Sequence, residues 1–290
     1  MQTQLFLSLT NFDNTMNLHF SITSKNITAC LFTAFTCFTL LSCATSPEGR
    51  NQLKLISDKQ MDVMGAQSFE QIKQQTPITK DQNVQQYVLC VANRIIPQVK
   101  QNPDPKQWEV LVFEDDQANA FALPGNKIGV YTGLLKYAKN QHQLAAVMGH
   151  EVAHVIAKHG NERVSNQMAT QAGLSIATVI LGGTQDENNA LILAGLGLGA
   201  QYGIILPFSR SHESEADLIG LDLMAKAGFD PAQSVPLWQN MSQAGASPPE
   251  FMSTHPSSGT RIKQLKERIP NANITYQNAL KQGRRADCKL

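Results

Sequence analysis

The sequence predicts an α+β fold that is mostly helical and contains one small antiparallel sheet. Extended segments rich in β-forming residues lie between 108 and 131, and hydrophobic residues recur at helical spacing from about 140 to the C-terminus. The chain has 290 residues, of which 42% are hydrophobic. This is enough apolar side-chain volume for one large core or two modest ones.

The composition excludes several classes of protein. Only 16% of the residues are charged and the formal net charge is +1, so the chain has no excess of charge with which to build a broad nucleic-acid surface. The 19 glycines and 13 prolines are too few for a fibrous chain, and five cysteines do not make a disulfide-dense scaffold. We therefore expect a globular protein without a nucleic-acid partner.

The first 42 residues have the anatomy of a leader. Residues 27–41 form an apolar run that is shorter than the about 20 residues of a membrane-spanning helix but typical of a signal peptide. Lys25 precedes the run, and Ser42 and Cys43 follow it, which resembles a bacterial lipoprotein signal. The resemblance implies that Cys43 is lipidated and begins the mature chain. An ordinary secretory signal and an uncleaved anchor are the alternatives.

The leader divides the chain into a predicted signal peptide over 1–42, a tether over 43–55 and a folded domain over 56–290. Met16 is a candidate start, because the residues before it resemble no signal-peptide n-region. Residue 44 is alanine, which by resemblance to lipoprotein sorting signals indicates the outer membrane. Since acyl chains can anchor a protein without a spanning helix, we expect a lipid-anchored protein of the bacterial periplasm, held at the outer membrane.

Two cysteines, Cys90 and Cys288, remain after Cys43 in the predicted mature chain. An oxidising compartment permits a bridge between them. Cys90 lies about 120° from the apolar stripe of its predicted helix, so it is able to meet the C-terminal tail. Two separate, half-buried thiols explain the spacing equally well.

Capping and turn residues mark the predicted helices. The capping box at 57–60 predicts the start of one helix, and a second helix is predicted over 80–98, ending near Pro97. The chain is predicted to be mostly helical from about 140 onwards. Within that part, Asp230 and the proline after it form an N-cap and first-turn pair.

Three extended segments predict the sheet. Residues 108–113 are rich in β-forming side chains. The segments 121–123 and 128–131 flank a Pro-Gly-Asn turn and predict a hairpin.

Two later apolar stretches, 172–183 and 190–206, are candidates for membrane segments. The first is too short, and the second carries a glutamine and four glycines. Buried or loop-flanking helix is the favoured interpretation, and a mobile flap over a site within 160–208 is the alternative.

The sequence His-Glu-Val-Ala-His at 150–154 is the strongest chemical signal. On a helix His150 and His154 lie about 40° apart, so both imidazoles reach one metal ion, and Glu151 lies beside the water that the metal holds. The alternative is two surface histidines and a glutamate on an amphipathic helix. Apolar neighbours around this helix argue against it, because burial without a metal leaves charge unpaired.

A catalytic zinc site needs a third protein ligand and one open position. Glu213 and Asp217 are four residues apart and share one helix face, whereas Glu215 points about 160° away. We expect Glu213 to be the third ligand and Asp217 to hold a ligand histidine through its other ring nitrogen. His159 lies half a helical turn from His150, so we expect a surface or packing role for it.

These motifs together resemble the zinc metallopeptidase family of the CAAX prenyl proteases, HtpX, LoiP and BepA (metallopeptidase family 48). The His-Glu-x-x-His motif is followed by Glu-x-x-x-Asp at 213–217, residues 119–134 resemble the edge strand of the family, and residues 253–262 resemble its C-terminal His-Pro element. The resemblance extends from about 80 to 268. It implies a gluzincin-like fold whose small sheet packs on the active-site helix, in a single-domain member.

The resemblance also implies a metalloendopeptidase with one Zn²⁺ per chain. Its ligands would be His150, His154 and Glu213, and Glu151 would transfer the proton of the metal-bound water. The edge strand would bind an extended peptide as an added strand through Asn119, Ala120 and Phe121.

His255 is the expected partner of the oxyanion that forms during hydrolysis. Arg210 and His212 are alternatives for this role. A capping or packing histidine before the last helix is the structural alternative for His255.

We therefore expect a membrane-anchored endopeptidase that cleaves misfolded or unassembled envelope and outer-membrane proteins. The quality-control role comes from the resemblance alone. A non-catalytic chaperone or assembly factor for outer-membrane proteins, which holds extended segments on the same strand, is the alternative. An intramembrane protease is disfavoured, because no convincing spanning helix follows the leader.

Overall fold

The structure is a computed structural model, and it describes residues 43–100, 107–180, 208–242, 250–255 and 259–290. The predicted signal peptide over 1–42 and the apolar stretch 190–206 lie outside the described residues. Residues 45–290 form one compact unit. None of the helices in the described ranges has the length and apolarity needed to cross a membrane.

Helices dominate the described chain, which confirms the predicted fold class. The eight α-helices in the described part are α1 (Asp58–Gln75), α2 (Gln82–Ile95), α3 (Gln141–Ile156), α4 (His159–Ile180), α5 (Arg210–Lys226), α6 (Ser234–Ser242), α7 (Glu250–Thr254) and α8 (Gly259–Lys281). Short 3₁₀ turns occupy Ile96–Gln98, Thr132–Lys136 and Pro231–Gln233. The strands are β1 (Cys43–Thr45), β2 (Asn51–Leu53), β3 (Glu109–Phe113), β4 (Ala120–Leu123) and β5 (Lys127–Tyr131).

The predicted caps are present where the sequence places them. Ser57 and Gln60 form the capping box of α1, and Asp230 accepts a hydrogen bond from Ala232 N–H at the start of the 3₁₀ turn. The second predicted helix ends at Ile95 and passes into a 3₁₀ turn that contains the proline. Local sequence alone therefore determines these helix ends.

The small sheet is mixed, so the prediction of an antiparallel sheet is wrong in part. Its strand order is β3-β5-β4. Strands β4 and β5 form the predicted antiparallel hairpin, in which Phe121 lies opposite Gly129, whereas β3 runs parallel to β5 with Val110 opposite Ile128. The hairpin turn is local, but the placement of β5 between β3 and β4 depends on long-range pairing that no local pattern encodes.

The hairpin turn requires backbone that favours glycine and asparagine. Gly125 and Asn126 have φ angles of 80° and 62°, as such turns demand. Gly125 N–H donates to Asp62 Oδ1 at 2.9 Å, and a side chain at this glycine would lie 2.8 Å from the Asp62 carbonyl oxygen. The close approach holds the turn against α1.

Helix α3 runs through the centre of the main core. It packs against α2, α5, α6 and β4, and twelve of its sixteen residues are buried. Gly149 on α3 and Gly220 on α5 let the two backbones approach: a side chain at Gly220 would lie 2.7 Å from His150 N. The two helices that bear the candidate ligands are therefore in direct backbone contact.

The N-terminal segment packs on the domain. Ser46 and Gln52 are buried, and the Gln52 side chain donates to the Ala157 carbonyl at 2.6 Å. The structure thus differs from the predicted tether. Residues 46–52 are not a free linker, because their polar side chains are packed against the domain.

Cys90 and Cys288 form a disulfide with their Cα atoms 5.7 Å apart. The spacing argument left this bridge and two separate thiols open, and the structure has the bridge. It joins α2 to the C-terminal tail.

Candidate metal centre

Helix α3 presents His150, Glu151 and His154 to one buried site. Asn140 caps the helix by accepting hydrogen bonds from the backbone N–H groups of His142 and Gln143. The ligand histidines lie one turn apart on the same face, as their spacing predicts.

Four side chains form a cluster able to hold one metal ion, and they are His150, His154, Glu213 and His255. One candidate ligand atom from each lies within 4.8 Å of the others. Glu213 Oε1 is 3.4 Å from His154 Nε2 and 3.0 Å from His255 Nδ1, and Glu213 Oε2 is 3.5 Å from His150 Nε2. All four residues are buried.

The donor set fits zinc. Imidazole nitrogens and one carboxylate are the ligands of catalytic zinc sites. Beside the cluster, Glu151 Oε1 is buried and accepts no hydrogen bond from the described residues, and its nearest ion-pair contact is His255 Nε2 at 3.4 Å. A buried carboxylate oxygen that accepts no hydrogen bond from the protein needs a proton or a hydrogen bond from a water molecule.

Glu151 is oriented by the edge of the sheet. Its Oε2 accepts a hydrogen bond from Ala122 N–H at 3.3 Å. Burial raises the pKa of the Glu151 carboxyl above its ordinary value, although His255 and His150 oppose this shift. A carboxylate with a raised pKa is a better proton acceptor.

Asp217 lies beside the Nδ1 side of His150, as the spacing predicts. Its Oδ1 lies 3.0 Å from His150 Nδ1, which leaves His150 Nε2 for the cluster. Burial raises the pKa of Asp217, but Arg261 and His150 outweigh it, and the net shift is downward. Asp217 therefore stays ionised and fixes the imidazole orientation.

Arg261 is a site residue that the sequence argument missed. Its guanidinium contacts Asp217 Oδ2 at 2.6 Å and Glu213 Oε2 at 2.7 Å, and it lies over the ring of Trp238 at 4.2 Å. Arg261 is separated from Asp217 by 44 residues, so no local pattern pairs them. The signal available was its place just after His255 in the motif that carried the resemblance.

His159 is buried and packs on the ring of His154, so of its two predicted roles the packing role is the one present, and the surface role is wrong. The hydrogen bond of His159 to this candidate ligand was not predicted. The Nδ1 of His159 lies 2.9 Å from His154 Nδ1, and its Nε2 lies 3.1 Å from Glu215 Oε2. The prediction extended α3 as a straight helix, but Lys158 has a φ of 56° and starts a new direction. Gly160 in the sequence was the local signal of this break.

Glu215 and Glu162 bind the docked N-terminal segment. Arg50 pairs with Glu162 through two contacts of 2.6 and 2.7 Å and with Glu215 Oε2 at 3.1 Å. Burial raises the pKa of Glu215, but hydrogen bonds from His159, the Ser46 side chain and a backbone N–H lower it to about 2.

The alternatives for the oxyanion partner lie outside the cluster. His212 Nε2 contacts Glu162 Oε2 at 3.1 Å, and its ring stacks on His159 with centroids 4.5 Å apart. Arg210 is exposed at the start of α5. Only His255, of the three candidates, belongs to the four-residue cluster.

The predicted substrate strand lies beside the site at the edge of the sheet. Asn119 carbonyl accepts from Tyr131 N–H at 3.0 Å, so by the alternation of a strand the backbone of Ala120 and Ala122 faces away from β5. The Ala120 N–H already bonds to Asn119 Oδ1. The Phe121 side chain is buried among aromatic rings that include Phe69 and does not line the edge.

A groove lies next to His154. It runs between α1, the β4–β5 turn and the start of α4, and its lining includes His154, Phe208, Arg163, Met61, Met64 and Leu123. The Phe208 ring stacks on the His154 ring with centroids 3.9 Å apart.

Known proteins are similar in sequence to this chain over most of the described domain. The sequence model of Peptidase family M48 matches residues 80–269. The mitochondrial metalloendopeptidase OMA1 of Schizosaccharomyces pombe is 38% identical over 196 residues, which cover 67% of this chain and 55% of that protein. The Beta-barrel assembly-enhancing protease of Escherichia coli K12 is 29% identical over 258 residues, which cover 84% of this chain and 52% of that protein. The chain spans about half the length of the curated relatives it matches.

Proposed function

This chain belongs to peptidase family M48, a family of zinc metallopeptidases, and on that premise we propose that it is a zinc-dependent endopeptidase that cleaves misfolded or unassembled envelope proteins. The observation that carries the proposal is the buried cluster of three histidines and a glutamate with a second glutamate, Glu151, beside it. A buried arrangement of this kind is costly without a metal to satisfy it.

His150, His154 and Glu213 hold the zinc in this proposal. Bound zinc would lower the pKa of its water and polarise the scissile carbonyl. Asp217 keeps the proton of His150 on Nδ1, so that the Nε2 lone pair points into the cluster.

Glu151 is the general base. Its Oε1 receives the proton of the attacking water and passes it to the leaving amine. The bond from Ala122 N–H to Oε2 holds the carboxylate in place, so the other oxygen is directed at the site. Burial raises the pKa of this carboxyl, which favours accepting a proton.

An extended peptide adds to the free edge of β4 in this proposal. The edge amides of Ala120 and Ala122 already have partners in Asn119 and Glu151. The peptide therefore bonds mainly to the outward carbonyl groups, and its own N–H groups act as donors. Recognition of backbone rather than side chains suits unfolded substrates.

His255 remains the proposed oxyanion partner. Its Nδ1 lies 3.2 Å from His150 Nε2 and 3.0 Å from Glu213 Oε1, so its ring would lie close to a metal held by the other three residues. We expect His255→Ala to retain zinc and to lose about 10²–10³-fold in kcat, the usual effect of removing such a donor.

The decisive experiment replaces Glu151 by glutamine and measures both zinc content and cleavage of casein. The amide keeps the shape and the bond from Ala122, so zinc binding should persist while cleavage falls to background. Glu114→Gln is the matched control, since Glu114 is exposed on the same domain. Retained cleavage by Glu151→Gln would disprove the assigned base, and zinc without cleavage in the wild type would favour the holding role.

The names of the relatives bear on the proposed substrate class, and the leader bears on the proposed location. One relative is named for enhancing β-barrel assembly, whereas others are named as mitochondrial. The lipoprotein-like leader favours the bacterial envelope, with Cys43 lipidated and the protein held at the outer membrane. Cys43→Ser should release the protein from the membrane fraction. An unfolded outer-membrane β-barrel protein should be cleaved and its folded form should not.

A further inference from the structure

The His154 ring is held on both of its nitrogen sides. Its Nε2 faces the cluster, 3.1 Å from His150 Nε2. Its Nδ1 faces the opposite way and lies 2.9 Å from His159 Nδ1. His159 is completely buried, so water does not compete for this contact.

Ligation fixes the direction of the hydrogen bonds behind His154. A neutral imidazole that binds a metal through Nε2 carries its proton on Nδ1. His154 therefore donates Nδ1–H to His159 Nδ1. His159 Nδ1 is then the acceptor, so its proton is on Nε2 and is donated to Glu215 Oε2 at 3.1 Å.

This row of hydrogen bonds ends on the Glu215 carboxylate, which accepts hydrogen bonds from the N-terminal segment. Arg50 Nε donates to Glu215 Oε2 at 3.2 Å, and Glu48 N–H donates to Glu215 Oε1 at 3.2 Å. Glu215 lies on α5, and His159 lies between it and His154, with one ring nitrogen on each of them.

Arg50 is fixed in turn by contacts that do not involve the metal ligands. Its two terminal nitrogens form a bidentate pair with Glu162, a geometry that orients a guanidinium strongly. Gln52 donates to the same carboxylate at 2.9 Å and to the Ala157 carbonyl at 2.6 Å. The segment 46–52 is therefore docked on the side of His154 that faces away from the cluster.

We propose that Arg50, Glu215 and His159 position His154 for the metal, so that the N-terminal segment 46–52 is a working part of the zinc site. This inference rests on the proposed function. All three are positioning residues, since none of them touches the metal or the substrate. Docking of the segment and the affinity of the site for the metal are coupled through these three side chains.

The test uses the full-length chain and measures the dissociation constant of Zn²⁺ by competition with a chelator. Loss of a hydrogen-bond partner behind a ligand histidine usually weakens metal binding about 10–100-fold. We expect His159→Leu to weaken zinc binding by about that factor, and Arg50→Met to weaken it less but measurably. Absorption spectra of the Co²⁺-loaded proteins should change in both variants, because the ligand field reports the orientation of His154.

A double variant separates positioning from general damage. If Arg50 acts only through His159, then Arg50→Met combined with His159→Leu binds zinc no more weakly than His159→Leu alone. Full additivity of the two effects would overturn the proposal. Arg50 is partly exposed, so its variant should fold even if His159→Leu does not.

Matched controls remove the same types of side chain elsewhere in the domain. His142→Leu removes an imidazole from the far end of α3, where its Nδ1 accepts from Asp230 N–H. Arg268→Met removes a guanidinium paired with Asp222. Neither should change zinc affinity more than about twofold. A wild type that binds zinc and cleaves casein, with His159→Leu and Arg50→Met unchanged, overturns the positioning role alone; a wild type without zinc overturns the proposed function as well.

Discussion

Replacing Arg261 by methionine is expected to destabilise the metal-free protein by about 3–5 kcal/mol, the usual effect of breaking a buried ion pair. The guanidinium contacts Asp217 at 2.6 and 2.8 Å and Glu213 at 2.7 Å. All three side chains are at most 3% exposed. Methionine fills much of the same volume, but it leaves two carboxylates in the core without their cation.

The assay is urea or thermal unfolding in the presence of a chelator, with Arg268→Met as the control. Arg268 pairs with Asp222 at the same 2.6 Å, but the two side chains are 36% and 27% exposed, so its loss should cost below about 1 kcal/mol. For a domain of this size 1 kcal/mol corresponds to about 2–4 °C in Tm. Arg261→Met should therefore lower the Tm by roughly 6–20 °C. Equal losses in the two variants would refute the reasoning.

Three further predictions concern helix contact, pH and the aromatic core. Gly220→Ala places a Cβ 2.7 Å from His150 N, so it should cost about 1–3 kcal/mol of stability and weaken zinc binding; Gly160→Ala, whose nearest neighbour is 3.9 Å away, should change neither. The lowered pKa of Glu215, about 2 against an ordinary 4.5, stabilises the fold above 4.5 and ceases to do so as the pH falls towards 2. The difference in unfolding temperature between wild type and Glu215→Gln should therefore vanish over that interval. Phe69→Ala should cost about 3–5 kcal/mol of unfolding free energy in urea, because the ring is fully buried.

Local sequence was sufficient for the helix that bears the site. The spacing of His150 and His154 and the i, i+4 spacing of Glu213 and Asp217 predict which side chains share a face, and the structure brings all four together. The capping residues predict the helix starts for the same reason: both depend on neighbours within one turn.

Features that depend on distant residues were not accessible in this way. The parallel pairing of β3 with β5 and the contacts of Arg261 join residues far apart in the chain. His159 was misplaced because one residue with a positive φ, Lys158, redirects the chain. The disulfide of Cys90 with Cys288 stayed open, because residue spacing does not specify which face of α2 the tail crosses.

The most direct test of the account is the zinc content of the full-length chain, measured by elemental analysis beside chelator-sensitive cleavage of casein. Glu213→Ala is the test variant, and Glu109→Ala, at a half-buried ion pair on β3, is its control. The account predicts one zinc per chain in the wild type and in Glu109→Ala, and loss of both zinc and cleavage in Glu213→Ala. A wild type that holds no zinc after zinc-replete purification, or a Glu213→Ala variant that keeps it, would contradict the account.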